Sequence, residues 1–119
     1  MALVMDGWKN LLVDNQDGIV TVTVNRPKAM NAINMELMKE LEAFFAGLAD
    51  APEADVVIFT GSGEKAFVAG ADIKEMAVMN HESGRAWALL GERVTSLIEK
   101  APQPVIAAVN GYALGGGRG

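Results

Sequence analysis

Val56–Met76 reads VVIFTGSGEKAFVAGADIKEM: a continuous apolar run, a break at Gly61-Ser62-Gly63, then a segment of small residues. An apolar run of this length suits a strand covered on both faces, as in a parallel or mixed sheet. The pattern returns near the C-terminal end, where Val105–Val109 runs into NGYALGGG (Asn110–Gly117). Two buried strands, each leading to a small-residue turn, would place main-chain N–H groups where a ligand can approach closely. Two such donors converging on one carbonyl oxygen stabilise developing negative charge, a task that needs small residues and bare backbone rather than charged side chains.

Outward from these runs, the spacing predicts the remaining elements. Trp8–Asn15 and Ile19–Asn25 read as two strands joined at Asn15-Gln16-Asp17-Gly18, where Asp-Gly supplies the positive φ of a tight hairpin. Val20, Val22 and Val24 alternate with Thr21 and Thr23, so one face is buried. Arg26-Pro27 ends the strand, and Asn31 or Asn34 caps a helix carrying Leu37, Met38, Leu41, Phe44, Phe45 and Leu48 on one face and Glu36, Lys39, Glu40 and Glu42 toward the other. Pro52 closes it. Residues 76–83 are neither periodic nor a clear turn. A second helix is predicted from His81 to Lys100, with Trp87, Leu90, Val94, Leu97 and Ile98 on one stripe and Pro102 and Pro104 beyond its end. Gly47 and Gly91 inside the helices suggest close contacts there. The order ββαβαβ implies an α/β layer arrangement.

Composition narrows the functional classes. At 119 residues the chain is expected to form one domain, and a hydrophobic share of 50% with 21% charged residues is ordinary for a globular protein. A net charge of −5 argues against general affinity for nucleic acid or an anionic membrane. With no cysteine and a single histidine, His81, there is no disulfide framework, thiol nucleophile or metal cluster to expect. No stretch approaches the roughly 20 apolar residues of a membrane span, and the N-terminus lacks a signal-peptide pattern. A cytoplasmic location is the default expectation.

Three blocks, NRPKAMNAINMEL (Asn25–Leu37), VVIFTGSGEKAFVAGADIKEM (Val56–Met76) and PVIAAVNGYALGGG (Pro104–Gly117), resemble the enoyl-CoA hydratase/isomerase family, the crotonases, over essentially the whole chain. The resemblance implies the N-terminal part of a crotonase-like ββα spiral of the ClpP/crotonase type, with 1–119 a single incomplete domain. It places the oxyanion-hole amides at Ala71 and Gly116. It lays Ala69, Ala71, Asp72, Ile73 and Lys74 along coenzyme A, with Lys74 near the phosphates and Lys28 and Lys65 as further phosphate contacts. From the residues alone, Asp72 also reads as a helix cap, Glu75 as a surface residue and His81 as a helix-start residue. The implied activity is hydration of a trans-2-enoyl-CoA, or the reverse dehydration, in fatty-acid metabolism; isomerase chemistry and a non-catalytic acyl-CoA-binding or self-associating fragment are the alternatives. No cofactor is implied beyond the coenzyme A of the substrate, and a homo-oligomer, trimer or hexamer, is the family expectation. The sequence departs from the hydratase pattern after Gly117: Arg118-Gly119 stands where a small residue and the first catalytic glutamate are expected, and the second glutamate position lies past residue 119. The expectation is a chain catalytically incomplete by itself.

Overall fold

In the computed structural model, residues 3–29, 31–62, 66–68, 77–108 and 112–113 are described, 66–68 and 112–113 through their backbone alone. Strands β1 (Leu11–Gln16) and β2 (Ile19–Val24) form an antiparallel hairpin closed by Gln16 opposite Ile19. The two-residue tip is the predicted Asp17-Gly18, at φ 54° and 91°, the left-handed pair whose twist matches the flanking strands. Asn15 Oδ1 accepts from the Gly18 N–H at 2.9 Å. β1 begins three residues later than the pattern suggested, because the backbone before it is engaged elsewhere. The Lys9 and Asn10 N–H groups donate to the two carboxylate oxygens of Glu40, at 2.8 and 2.7 Å.

On its other side β2 pairs in parallel with β3 (Val56–Gly61), and β3 in parallel with β5 (Val105–Ala108), giving the four-stranded order β1-β2-β3-β5. Helix α1 (Met35–Gly47) connects β2 to β3, and helix α2 (His81–Lys100) precedes β5. Of the two candidate caps for α1, Asn34 is the one used: its Oδ1 accepts from the Leu37 N–H at 2.8 Å. α2 has the predicted bounds. A reciprocal Asn80/Ser83 capping box fixes its start, so the irregular stretch before it ends at a defined cap.

Both helices pack on one sheet face. Val20, Val22, Val24 and Val57 meet Leu37, Leu41, Phe44, Phe45 and Leu48 of the α1 region, with Val94 of α2 completing the buried cluster. Trp87, Leu90, Leu97 and Ile98 pack against its edge, the stripe expected from sequence. Phe45 sits edge-on to Phe44 and to Phe59 at 5.2 and 5.7 Å between ring centres, the preferred geometry for aromatic pairs. The apolar run at β3 suggested cover on both faces. On the second face Thr21, Ile58 and Ile106 lie in one cross-strand row; every residue of β3 is buried or half-buried, while Ile106 of β5 is 54% exposed. Continuous hydrophobicity does not say which face the helices take.

Two further strands escaped the pattern. β4 (Ala66–Val68) and β6 (Tyr112–Ala113) form a separate two-stranded sheet, each strand lying within one of the small-residue segments.

Candidate site at the carboxyl ends of the parallel strands

β2, β3 and β5 are parallel, so all three release the chain at the same edge of the sheet, the edge at which open α/β sheets place their ligands. The local sequence ties that edge together. After Val24 the chain turns through Arg26 and a single 3-10 turn, Pro27–Ala29, where the Arg26 carbonyl accepts from both the Ala29 and Asn31 N–H groups, at 3.0 and 2.8 Å. Asn31 is 1% exposed and sits at φ 57°, a conformation asparagine tolerates better than most side chains. Its Oδ1 accepts from the Arg26 N–H at 2.8 Å, and its Nδ2 donates to the Ser62 carbonyl at 3.1 Å. Ser62 in turn donates its N–H to the Val24 carbonyl at 2.8 Å. The Arg26 guanidinium donates to the Ala32 carbonyl, and Thr60 Oγ1 donates to the Ala108 carbonyl at 2.8 Å, tying the ends of β3 and β5.

Lys28 is exposed on this anchored turn, beside the exits of β2 and β3. It is the one predicted site residue that falls within the described residues. Lys65, Ala69, Ala71, Asp72, Ile73, Lys74 and Gly116 lie outside them. What the structure does bring together are the strands from which those segments depart. β4 pairs with β6 in parallel, Ala66 opposite Tyr112 and Val68 opposite Ala113. Two parallel neighbours release their chains at the same end, about 4.8 Å apart. Ala71 is the third residue beyond Val68, and Gly116 the third beyond Ala113.

Sequence reasoning missed Asn31 as the tie between two strand exits and read it only as a possible cap. The available signal was a second asparagine shortly after Asn25-Arg26-Pro27, in a stretch too short to be a helix. Glu53, before β3 at the opposite end of the sheet, has its carboxyl held below the usual glutamate range by the Leu3 N–H that donates to it at 2.7 Å; it takes no part in this edge. An open groove at that far end is lined by Ala49, Pro52, Asp55, Pro102 and Gln103. Among the described residues there is no cluster of three or more His, Cys, Asp or Glu able to hold a metal ion, and no helix is long and apolar enough to cross a membrane.

Comparison with known proteins gives this geometry a context. Residues 14–119 match the family model described as enoyl-CoA hydratase/isomerase. The chain is 47% identical over 108 residues to a short-chain-enoyl-CoA hydratase of Clostridium acetobutylicum, covering 91% of this chain and 41% of that protein. It is 43% identical to a crotonyl-CoA hydratase of Syntrophomonas wolfei, covering 92% and 42%. A crystal structure of an enoyl-CoA hydratase from Bacillus anthracis superposes with a TM-score of 0.88 at 42% identity, over 92% of this chain and 43% of that one. The chain thus spans about two fifths of the length of these relatives, and its α/β architecture is the N-terminal part of theirs.

Proposed function

The chain belongs to the enoyl-CoA hydratase/isomerase family, and from that premise we propose that it is the thioester-binding part of an enoyl-CoA hydratase-type protein of fatty-acid metabolism. The observation that carries the reading is the parallel register of β4 and β6, which sends the AGADIKEM and LGGG segments out of neighbouring strands at one end. The Ala71 and Gly116 N–H groups then form the oxyanion hole for the thioester carbonyl of an acyl-CoA. Ala69, Asp72, Ile73 and Lys74 run along the coenzyme A, and Lys28 and Lys65 meet its phosphates. Lys28 suits that role because it is exposed on a turn fixed at the same edge.

The chemistry follows from one polarised bond. Two N–H donors on the carbonyl oxygen withdraw electron density from the thioester. The α-carbon becomes more acidic and the β-carbon of an enoyl group more electrophilic, so water addition and its reversal share one stabilised enolate. Removing one donor from an oxyanion hole costs about 2.7–4 kcal/mol in the transition state where a side-chain donor has been tested. Moving the water's protons takes a general acid or base within hydrogen-bond reach, and Gly119 has no side chain to serve as one at the position the family resemblance gives the first glutamate. Residues 1–119, about two fifths of the length of the relatives, are proposed to contribute substrate binding and carbonyl polarisation as one incomplete domain. Coenzyme A enters with the substrate and no separate cofactor is invoked. The setting is cytoplasmic, and Ile106, exposed on the sheet face away from the helices, favours a homo-oligomer.

The test is the carbonyl resonance of crotonyl-CoA labelled with carbon-13 at the thioester. Binding to the chain is expected to move it downfield from its free value, and Ala71→Pro or Gly116→Pro, each removing one donor, to reverse the move. A bound thioester whose carbonyl stays at its free value refutes the reading. Hydratase turnover on crotonyl-CoA is expected to remain at background; a robust rate lost in those variants would refute the incomplete-domain proposal.

A further inference from the structure

We infer that Asn31 is a positioning residue that sets the departure of the chain toward β4, and with it the donor geometry. The inference rests on the reading above for its functional meaning. A buried side-chain amide is costly unless its hydrogen-bonding groups are matched. Here the amide is used from both sides: Oδ1 holds the Arg26 N–H where the chain leaves β2, and Nδ2 holds the Ser62 carbonyl where it leaves β3. The two residues joined, Asn31 and Ser62, are 31 positions apart in sequence. Glycine would supply φ 57° at lower conformational cost, so the choice of asparagine is explained by the side chain's bonds rather than by the backbone angle.

Ser62 is held by both of its backbone groups, its N–H on Val24 and its carbonyl on Asn31. That fixes the peptide plane at the end of β3, four residues ahead of Ala66, where β4 begins. Misplacement of a reacting group by about 1 Å is enough to cost a hundredfold in rate, so a peptide plane free to turn at Ser62 is felt at the donors. The turn carrying Lys28 is anchored by the same amide. One side chain thereby registers the proposed phosphate contact against the strand that leads to the thioester.

Two variants separate the contributions. Asn31→Gly keeps the backbone angle and removes both bonds; Asn31→Asp keeps the acceptor for Arg26 and removes the donor to Ser62. Two readouts are taken on the whole chain: amide hydrogen exchange in peptides spanning 60–68, and the crotonyl-CoA carbonyl resonance alongside coenzyme A affinity. Exchange at 60–68 is expected to rise about tenfold in both variants, the loss of one buried hydrogen bond, while peptides of the β1–β2 hairpin hold within about twofold. The carbonyl shift is expected to fall toward the free value in both variants, with coenzyme A affinity unchanged in Asn31→Asp, which keeps the Arg26 bond that anchors the Lys28 turn. Unchanged exchange at 60–68 overturns the inference, as does parallel loss of affinity and carbonyl shift in Asn31→Asp, which is what general destabilisation produces. Should Asn31→Gly fail to fold, Asn31→Asp decides; if neither folds, Asn31 is a folding residue and the inference falls. If the unsubstituted chain leaves the carbonyl at its free value, the donor reading fails, and the exchange data alone still judge Asn31.

Discussion

The same substitution, glycine to alanine, is expected to act in opposite directions at Gly18 and Gly91. At the hairpin tip Gly18 has φ 91°, and a Cβ there would lie 2.2 Å from Asp55 Oδ2, 2.8 Å from its Cγ and 3.3 Å from its Cβ. The exposed Asp55 carboxylate can swing outward, but the contact with its Cβ remains, and the Gly18 carbonyl is pinned by the Asp55 and Val56 N–H groups at 2.8 and 3.2 Å. Left-handed backbone costs alanine about 1–2 kcal/mol, and the stiffer unfolded chain returns about 0.4–1 kcal/mol. With the contact added, Gly18→Ala should destabilise by about 1–3 kcal/mol. Gly91 lies inside α2, where a Cβ would meet Met38 Cε at 3.7 Å, an ordinary contact. There alanine should stabilise by up to about 1 kcal/mol through helix propensity. Urea unfolding followed by far-ultraviolet circular dichroism measures both against the parent, and Asp55→Ala as background should recover part of the Gly18→Ala loss. Shifts of the same sign at the two positions, or a Gly18→Ala loss below about 0.5 kcal/mol, the ordinary scatter of surface substitutions, would refute the reasoning.

The Glu40 carboxylate accepts the Lys9 and Asn10 N–H groups together, so Glu40→Gln, which turns one acceptor into a donor, is expected to cost about 1–3 kcal/mol; an unchanged urea midpoint contradicts this. For Glu53, the folded-state pKa lies below the unfolded one, so its hold on Leu3 is present in full at neutral pH and fades as acid drives the pH down through the lowered value. Fluorescence of Trp8, whose indole N–H donates to the Val4 carbonyl beside Leu3, should report that release, and Glu53→Gln should flatten the response. Arg93 meets Glu42 between the two helices at 2.6 Å but is largely exposed, so Arg93→Ala should cost only about 0.2–1 kcal/mol, less in high salt; a larger loss points to packing by the arginine stem.

What the sequence disclosed followed from local chemistry. The Asp17-Gly18 turn, the helix from His81 to Lys100 and the stripe from Trp87 to Ile98 each depend on neighbours in the chain, so periodicity and capping rules reach them. β4 and β6 are three and two residues long, too short to display an alternation, and exist through their pairing with each other. Glu36 and Glu40 looked like members of a solvated helix face, yet they hold Lys9 and Asn10, a partnership no helical period contains. Asn31 read from sequence only as a possible helix cap, and its partner Ser62, 31 positions away, shows only in the assembled sheet. Of the candidate site, Lys28 is seen on its anchored turn, while the donor segments are approached through the strands that lead to them.

The mixed sheet also orders the cost of assembly. The β1–β2 hairpin closes across two residues, and such closures take about 1–10 μs. β2 and β3 must instead meet across the whole of α1, Ile19 opposite Val56, and β3 and β5 across α2, with Thr60 and Ala108 48 positions apart. Loop closure grows dearer with each step and is paid before the parallel contacts return anything. During synthesis the hairpin and α1 emerge with their shared valine and phenylalanine layer already available to pack, while β5 and β6, the later partners of β3 and β4, are still to be made. The proposed donors would thus be brought together only once β5 and β6 have been translated, after the framework that orients them has formed.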